Sequence, residues 1–222
     1  STVIRDYEEL IKSGDGEYLT ATPCDGDVFD ESMNGQPIKL VYDDGYTRLV
    51  TYTTGSLKQA VYEYAKLMPS GCLYPCDADG NVTVEVDSDN PYKNSVGGKW
   101  VNHLIVADGV DEIPAGLCYE SECLQSVRFE GSALSKIGKN AFYQCKNLTD
   151  ISLSGMSIGT IESGAFFECS SLTSLNIEEE VNIGEMGKGA FERSGLLSTG
   201  LDKVSGLASL PENAYKDCKA LT

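Results

Sequence analysis

The chain carries eight cysteines and one histidine in 222 residues, so thiol, metal and nucleophile chemistry has to be weighed first. Cys72-x-x-x-Cys76 offers two soft ligands, but a zinc site needs two more at matching spacing, and His103 is the sole imidazole. Ser/His/Asp and Cys/His schemes would likewise run through His103, and no serine or cysteine stands in a nucleophile-like turn motif. His103 reads as a structural residue on the first repeat strand, in phase with inward Val127. Asp77-Ala78-Asp79-Gly80-Asn81-Val82-Thr83 spaces oxygen ligands as a calcium loop does, yet its glycine is fourth where the EF-hand pattern places it sixth. A hairpin turn with Asp and Asn in turn geometry is the expected outcome. Asp25, Asp27 and Asp30 could serve as paired acids in glycoside hydrolysis, but they lie in a Gly/Pro-punctuated loop. The expectation is a chain with no catalytic residues, no metal and no cofactor.

Cys145, Cys169 and Cys218 belong to something else, a motif that returns through the second half of the chain. Its clearest copy runs from Ile137-Gly138-Lys139-Asn140-Ala141-Phe142 through Cys145 and Leu148 to Ile151-Ser152-Leu153. The aliphatic residue four positions before each Ala-Phe-like pair is Ile113, Ile137, Ile161, Met186 and Leu210, in steps of 24, 24, 25 and 24. Leu134, Ile158, Ile183 and Leu207 keep the same phase three residues before each start. A fixed period of this length means one supersecondary unit stacked on its own copies. The Cys column then faces the interior, where a reduced thiol acts as a small apolar group. Cys118 and Cys123 fit either redox state, and Cys24, Cys72 and Cys76 allow one bridge.

Each unit moves from helix-like spacing to alternation. Phe142, Cys145 and Leu148 share one side of a helical or 3₁₀ turn, and Ile151-x-Leu153 and Leu175-x-Ile177 read as short strands with those residues inward. The first copy is degenerate, with Leu117-Cys118 for Ala-Phe and Ser121 for Cys; the fourth has Ser194 for Cys and Gly200 where Ile151 sits. These units resemble the BspA-type leucine-rich repeats of bacterial surface proteins over residues 100–222. That resemblance implies a right-handed solenoid with a parallel sheet on one face, in exported proteins that bind host proteins or glycans, and it supplies no catalytic residues.

The residues alternating with the inward pair are Ser126, Arg128 and Glu130, then Asp150, Ser152 and Ser154, then Ser174, Asn176 and Glu178. They predict a polar lattice in rows about 4.8 Å apart. Arg128, Glu130, Asp150, Ser152, Asn176 and Glu178 are its candidate ligand-binding side chains.

Residues 1–99 lack the repeat and predict a small α+β domain. Helices are expected at Ile4–Lys12 and at Ser56–Met68, the second from a Ser56/Gln59 capping box and the stripe Leu57, Ala60, Val61, Tyr64, Leu67 and Met68. Strands are expected at Ile38–Tyr42, Tyr46–Thr53 and Val82–Val86, with a hairpin at Asp43-Asp44-Gly45. The linker is Asp87–Lys99. Ile105, read in phase with Phe129, points inward, leaving Leu104 and Val106 as an apolar outer surface on which the N-terminal domain caps the solenoid.

A formal charge of −17, from 34 acidic and 17 basic side chains, opposes nucleic acid and anionic membrane surfaces as partners. No apolar run approaches the roughly eighteen residues of a spanning helix, and none looks like a signal peptide, so a start at Ser1 fits a processed product of export. The array ends at Leu221-Thr222 before its fifth strand, which predicts continuation in a longer protein or self-association through an open end. The reading is a non-enzymatic, secreted or cell-surface module that binds a protein or glycan through the solenoid. The alternative is a carbohydrate-active or peptidase-like enzyme whose chemistry lies in the N-terminal domain.

Overall fold

The computed structural model describes residues 61–89, 91 and 94–222 and, within residues 1–60, the backbone of five short strands. Those five are β1 (Thr2–Val3), β2 (Tyr18–Thr22), β3 (Val28–Phe29), β4 (Pro37–Tyr42) and β5 (Thr47–Thr51). β4 pairs antiparallel with β5, as the Asp-Asp-Gly signal between them requires, and with β2 on its other edge. The expected Ile4–Lys12 helix and residues 56–60 of the second helix lie outside the described residues, as do Cys24 and Asp25, Asp27 and Asp30.

The rest of that second helix is overturned. Tyr62–Leu67 is a strand, β6, followed by the short antiparallel β7 (Leu73–Pro75). Ala65 and Leu67 are fully buried on one face while Tyr62, Tyr64 and Lys66 occupy the other. The helical stripe through Tyr64 and Leu67 was equally compatible with alternation. What decides is pairing: β6 lies parallel to the first repeat strand, Ala65 opposite Leu104 and Leu67 opposite Val106. The expected Val82–Val86 strand reduces to one bridge between Val82 and Cys76.

The repeats then follow in chain order as β8 (Val101–Val106) and β9 (Glu112–Ile113), β10 (Ser126–Phe129) and β11 (Ala133–Ile137), β12 (Asp150–Ile151) and β13 (Ser157–Ile161), β14 (Val181–Met186) and β15 (Val204–Ser205). They build two sheets, ordered β12-β10-β8-β6-β7 and β15-β14-β13-β11-β9. All pairs within the repeats are parallel, the signature of coils stacked in one direction. The aliphatic columns are in exact register, Leu134 on Ile158 on Ile183 and Ile137 on Ile161 on Met186.

The third side of each coil is a turn in place of the expected helical turn. Ala141 and Tyr143 N–H donate three residues back, to Gly138 and Asn140, but Asn140 and Gln144 have φ near +54° and stop propagation. The alternate amides of Asn140, Phe142 and Gln144 instead donate to Ser163, Ala165 and Phe167 in the next coil. A continuous helix would consume those amides internally and leave the coils unjoined on this side. Inside the turns Phe142, Phe166 and Phe191 stack with centroids 5.1 Å apart, all fully buried.

The first coil corrects a phase. β10 pairs with β8 at an offset of 23 residues, Ser126 on His103 and Val127 on Leu104. Leu104 and Val106 therefore face the interior, and His103 and Ile105 face out. Ile105 is nonetheless only 2% exposed.

Candidate functional site

The outward face of β6, β8, β10 and β12 carries the polar side chains. His103, half-buried, stacks on Tyr64 at 4.8 Å and places Nδ1 2.8 Å from Ser126 Oγ, while its Nε2 lies 3.5 Å from Glu63. It bridges outer-face rows and does not cap the core. Next to it Lys66 Nζ donates to the Gly80 carbonyl at 3.1 Å and pairs with Glu130 at 2.8 Å. That contact holds the 77–81 turn over the outer face beside β10.

The turn itself is a hairpin. Asp77 N–H donates to the Asn81 carbonyl, and Asp77 Oδ1 accepts from Asp79 and Asn81 N–H at 3.0 and 2.8 Å. The Asn81 side-chain amide also donates to Asp77, and these bonds hold the Asp77 carboxyl below its ordinary range. Its oxygens are thus satisfied by the turn, and among the described residues no cluster of three His, Cys, Asp or Glu is arranged to hold a metal ion.

Beyond the turn a groove of about 340 Å³ opens along the sheet, lined by Ser126, Arg128, Asp150, Ser152, Ser154 and Met156. Three of the six predicted binding residues, Arg128, Asp150 and Ser152, meet there. Glu130 is committed to Lys66. Asn176 departs from the lattice: its φ is +48°, and its side-chain amide donates back to Asp150 Oδ1 and the Ile151 carbonyl, each at 3.1 Å. The third row is correspondingly not a strand, because an αL residue breaks the pleat. Glu178 presents its carbonyl to Lys203 at 3.2 Å. Lys66 and Met156 were missed, Lys66 because its segment reads as a helix and Met156 because it lies between the motif columns.

The groove offers hydroxyls, one guanidinium and one carboxylate, a set for hydrogen bonding and ion pairing. Nucleophile chemistry is not favoured at the thiols. Cys76, Cys118, Cys123, Cys145, Cys169 and Cys218 are free thiols. Burial pushes Cys145 up to about 12, and Cys76 to about 11 with help from the Asp77 charge.

A profile of the BspA type leucine rich repeat region matches residues 97–222 in six copies. Among solved structures the chain is similar to a leucine rich cell surface protein of Faecalibacterium prausnitzii, with 18% identity over 88% of this chain and a TM-score of 0.42. The match takes in 54% of that protein, so the chain spans about half its length. No curated protein matches the chain. The profile extends over more than half of the sequence, and the stacked coils supply the architecture it describes: the chain belongs to the family of BspA-type leucine-rich repeat proteins.

Proposed function

We propose that the chain is a non-enzymatic interaction module of the cell surface or the secreted space, which binds a protein or glycan in the outer-face groove beside the 77–81 turn. The observation that carries this reading is the convergence of Arg128, Asp150 and Ser152 on one groove. Paired donors and acceptors on a rigid sheet suit sugar hydroxyls or a peptide backbone, and the rigidity of the stack lowers the ordering cost of binding. Family membership supports the surface setting, and among the described residues no helix is long and apolar enough to cross a membrane.

The test is a screen of the full chain against arrayed glycans and extracellular proteins, repeated with Arg128→Gln and Asp150→Asn, with hydrolysis of the same glycans and peptides followed in parallel. Binding that both substitutions weaken, without turnover, supports the module. Turnover would favour the enzyme alternative, and binding indifferent to both substitutions would move the site elsewhere.

A further inference from the structure

The polar side chains of the outer-face groove are each partly bonded within the protein, and those bonds fix the direction in which each can bond to a ligand. A serine hydroxyl has one proton to donate and two lone pairs. Ser152 gives its proton to the Asn176 carbonyl at 3.2 Å and accepts the Ser154 N–H at 3.4 Å, which leaves it one lone pair. Ser154 accepts the Glu179 N–H at 2.8 Å and keeps its proton for a ligand. Glu63 beside His103 Nε2 favours the imidazole proton on that nitrogen, so Nδ1 accepts from Ser126 at 2.8 Å and the Ser126 oxygen is left as an acceptor. Asp150 has Oδ1 on the Asn176 amide at 3.1 Å, and among the described residues no donor reaches its Oδ2. The groove thus sets acceptors at Ser126, Asp150 and Ser152 beside donors at Arg128 and Ser154, on adjacent rows in which Ser126 lies opposite Asp150.

The charges of this lining balance. Among the described residues Arg128 is its one cation and Asp150 its one anion, and the neighbouring Lys66 and Glu130 pair with each other at 2.8 Å. A net charge on the ligand would find no counter-charge to match. Strand addition by a peptide is closed as well, because it draws on an open sheet edge. On the edge beside the groove, β12, the Ile151 carbonyl accepts from the Asn176 side-chain amide at 3.1 Å, and the adjoining Leu153 N–H donates to the Leu175 carbonyl at 3.0 Å. What remains is a face that bonds through side chains alone.

Resting on the reading of this groove as the binding site, we propose that its ligand is an uncharged glycan, with neighbouring sugar hydroxyls donating to Ser126, Asp150 and Ser152 and accepting from Arg128 and Ser154. A sugar hydroxyl both donates and accepts, so a run of them satisfies a mixed lining that the one-directional amides of a peptide would leave partly unpaired. The volume of about 340 Å³ suits a small sugar, and Met156, 4% exposed, gives its C–H groups an apolar contact.

Calorimetric titration of the full chain with lactose, cellobiose, mannobiose and N,N′-diacetylchitobiose, and with digalacturonate as a charged counterpart, tests the proposal. The expected result is millimolar or tighter binding of at least one neutral disaccharide and none of its per-O-methylated form, which has lost every donor. Arg128→Gln, which removes a charged donor, and Asp150→Asn, which turns the Oδ2 acceptor into a donor, should each weaken binding about tenfold. Both residues are exposed, so melting temperatures should not change. Binding of digalacturonate alone, or equal binding of the methylated sugar, would overturn the proposal. An unglycosylated protein that binds and is weakened by both substitutions, while no sugar binds, would overturn the glycan and leave the groove standing as the site. Sugar binding indifferent to both substitutions, or no binding of any probe, would overturn the groove and the glycan together.

Discussion

Cys145 donates its thiol to the carbonyl oxygen of Cys118, one coil back, at 3.0 Å. Cys169 to Phe142 and Cys218 to Phe191 repeat the contact at the same distance. The column is thus a set of buried inter-coil hydrogen bonds, and the motif's cysteine serves both as filler and as a weak donor to a carbonyl that the amide ladder leaves with a spare lone pair.

Alkylation should follow burial. In the native protein Cys145 and Cys169 are fully buried with raised pKa values, while Cys123 is partly exposed. Iodoacetamide at mildly alkaline pH should label Cys123 first among the described cysteines and leave Cys145 and Cys169 unmodified until denaturant is added, as read by peptide mass spectrometry. Early labelling of Cys145 would contradict the packing.

Phe166 sits between Phe142 and Phe191 and is fully buried. Phe166→Ala should cost about 3–5 kcal/mol in denaturant unfolding, from lost burial and the cavity left behind. Ser152 is exposed and donates to the Asn176 carbonyl at 3.2 Å. Ser152→Ala should change stability by only about 0.5 kcal/mol.

Alkali should unfold the repeats through groups that must stay neutral. Burial raises Cys145 from 9.0 to about 12 and Tyr215 from 10.0 to about 12. A raised folded pKa means that the native state holds its proton more tightly than the unfolded chain. The stabilisation is complete below the unfolded values and is lost as pH rises from about 9 toward 12. Melting temperatures across that window should fall, and Cys145→Ala should flatten the lower part of the decline.

Acid should loosen the 77–81 turn. Asp77 has a depressed pKa, because its carboxylate accepts from Asn81 and from backbone amides. Its contribution is present above the ordinary carboxylate value and disappears as pH falls through the folded one. The protection of the Asn81 amide relative to its intrinsic exchange rate should fall in that range, and Asp77→Ala should show the low protection already at neutral pH.

Gly159 and Gly184 are held by close approach between coils. A Cβ at Gly159 would meet the Ser135 carbonyl oxygen at 2.4 Å and one at Gly184 the Gly159 oxygen at 2.7 Å. Gly159→Val should destabilise by about 1–3 kcal/mol in thermal unfolding.

The sequence alone determined the period, the interior columns of Ile137, Phe142, Cys145 and Leu148, and the family, because every copy repeats the same burial requirement. Stacking writes that requirement once per coil, and subtraction of residue numbers recovers it. Tertiary structure decided what pairs across unequal separations. Tyr62–Leu67 became a strand because β8 offered it a parallel edge 39 residues away, as in Tyr64 opposite His103. The 23-residue offset between β8 and β10 turned His103 outward and Leu104 inward. The polar lattice was legible in Arg128, Asp150 and Ser152, and not in Asn176, whose positive φ answers to the hydrogen bonds it makes to the coil behind it. Side-chain columns record burial, whereas register and turn geometry are set by backbone hydrogen bonds between coils, and those belong to no single stretch of sequence.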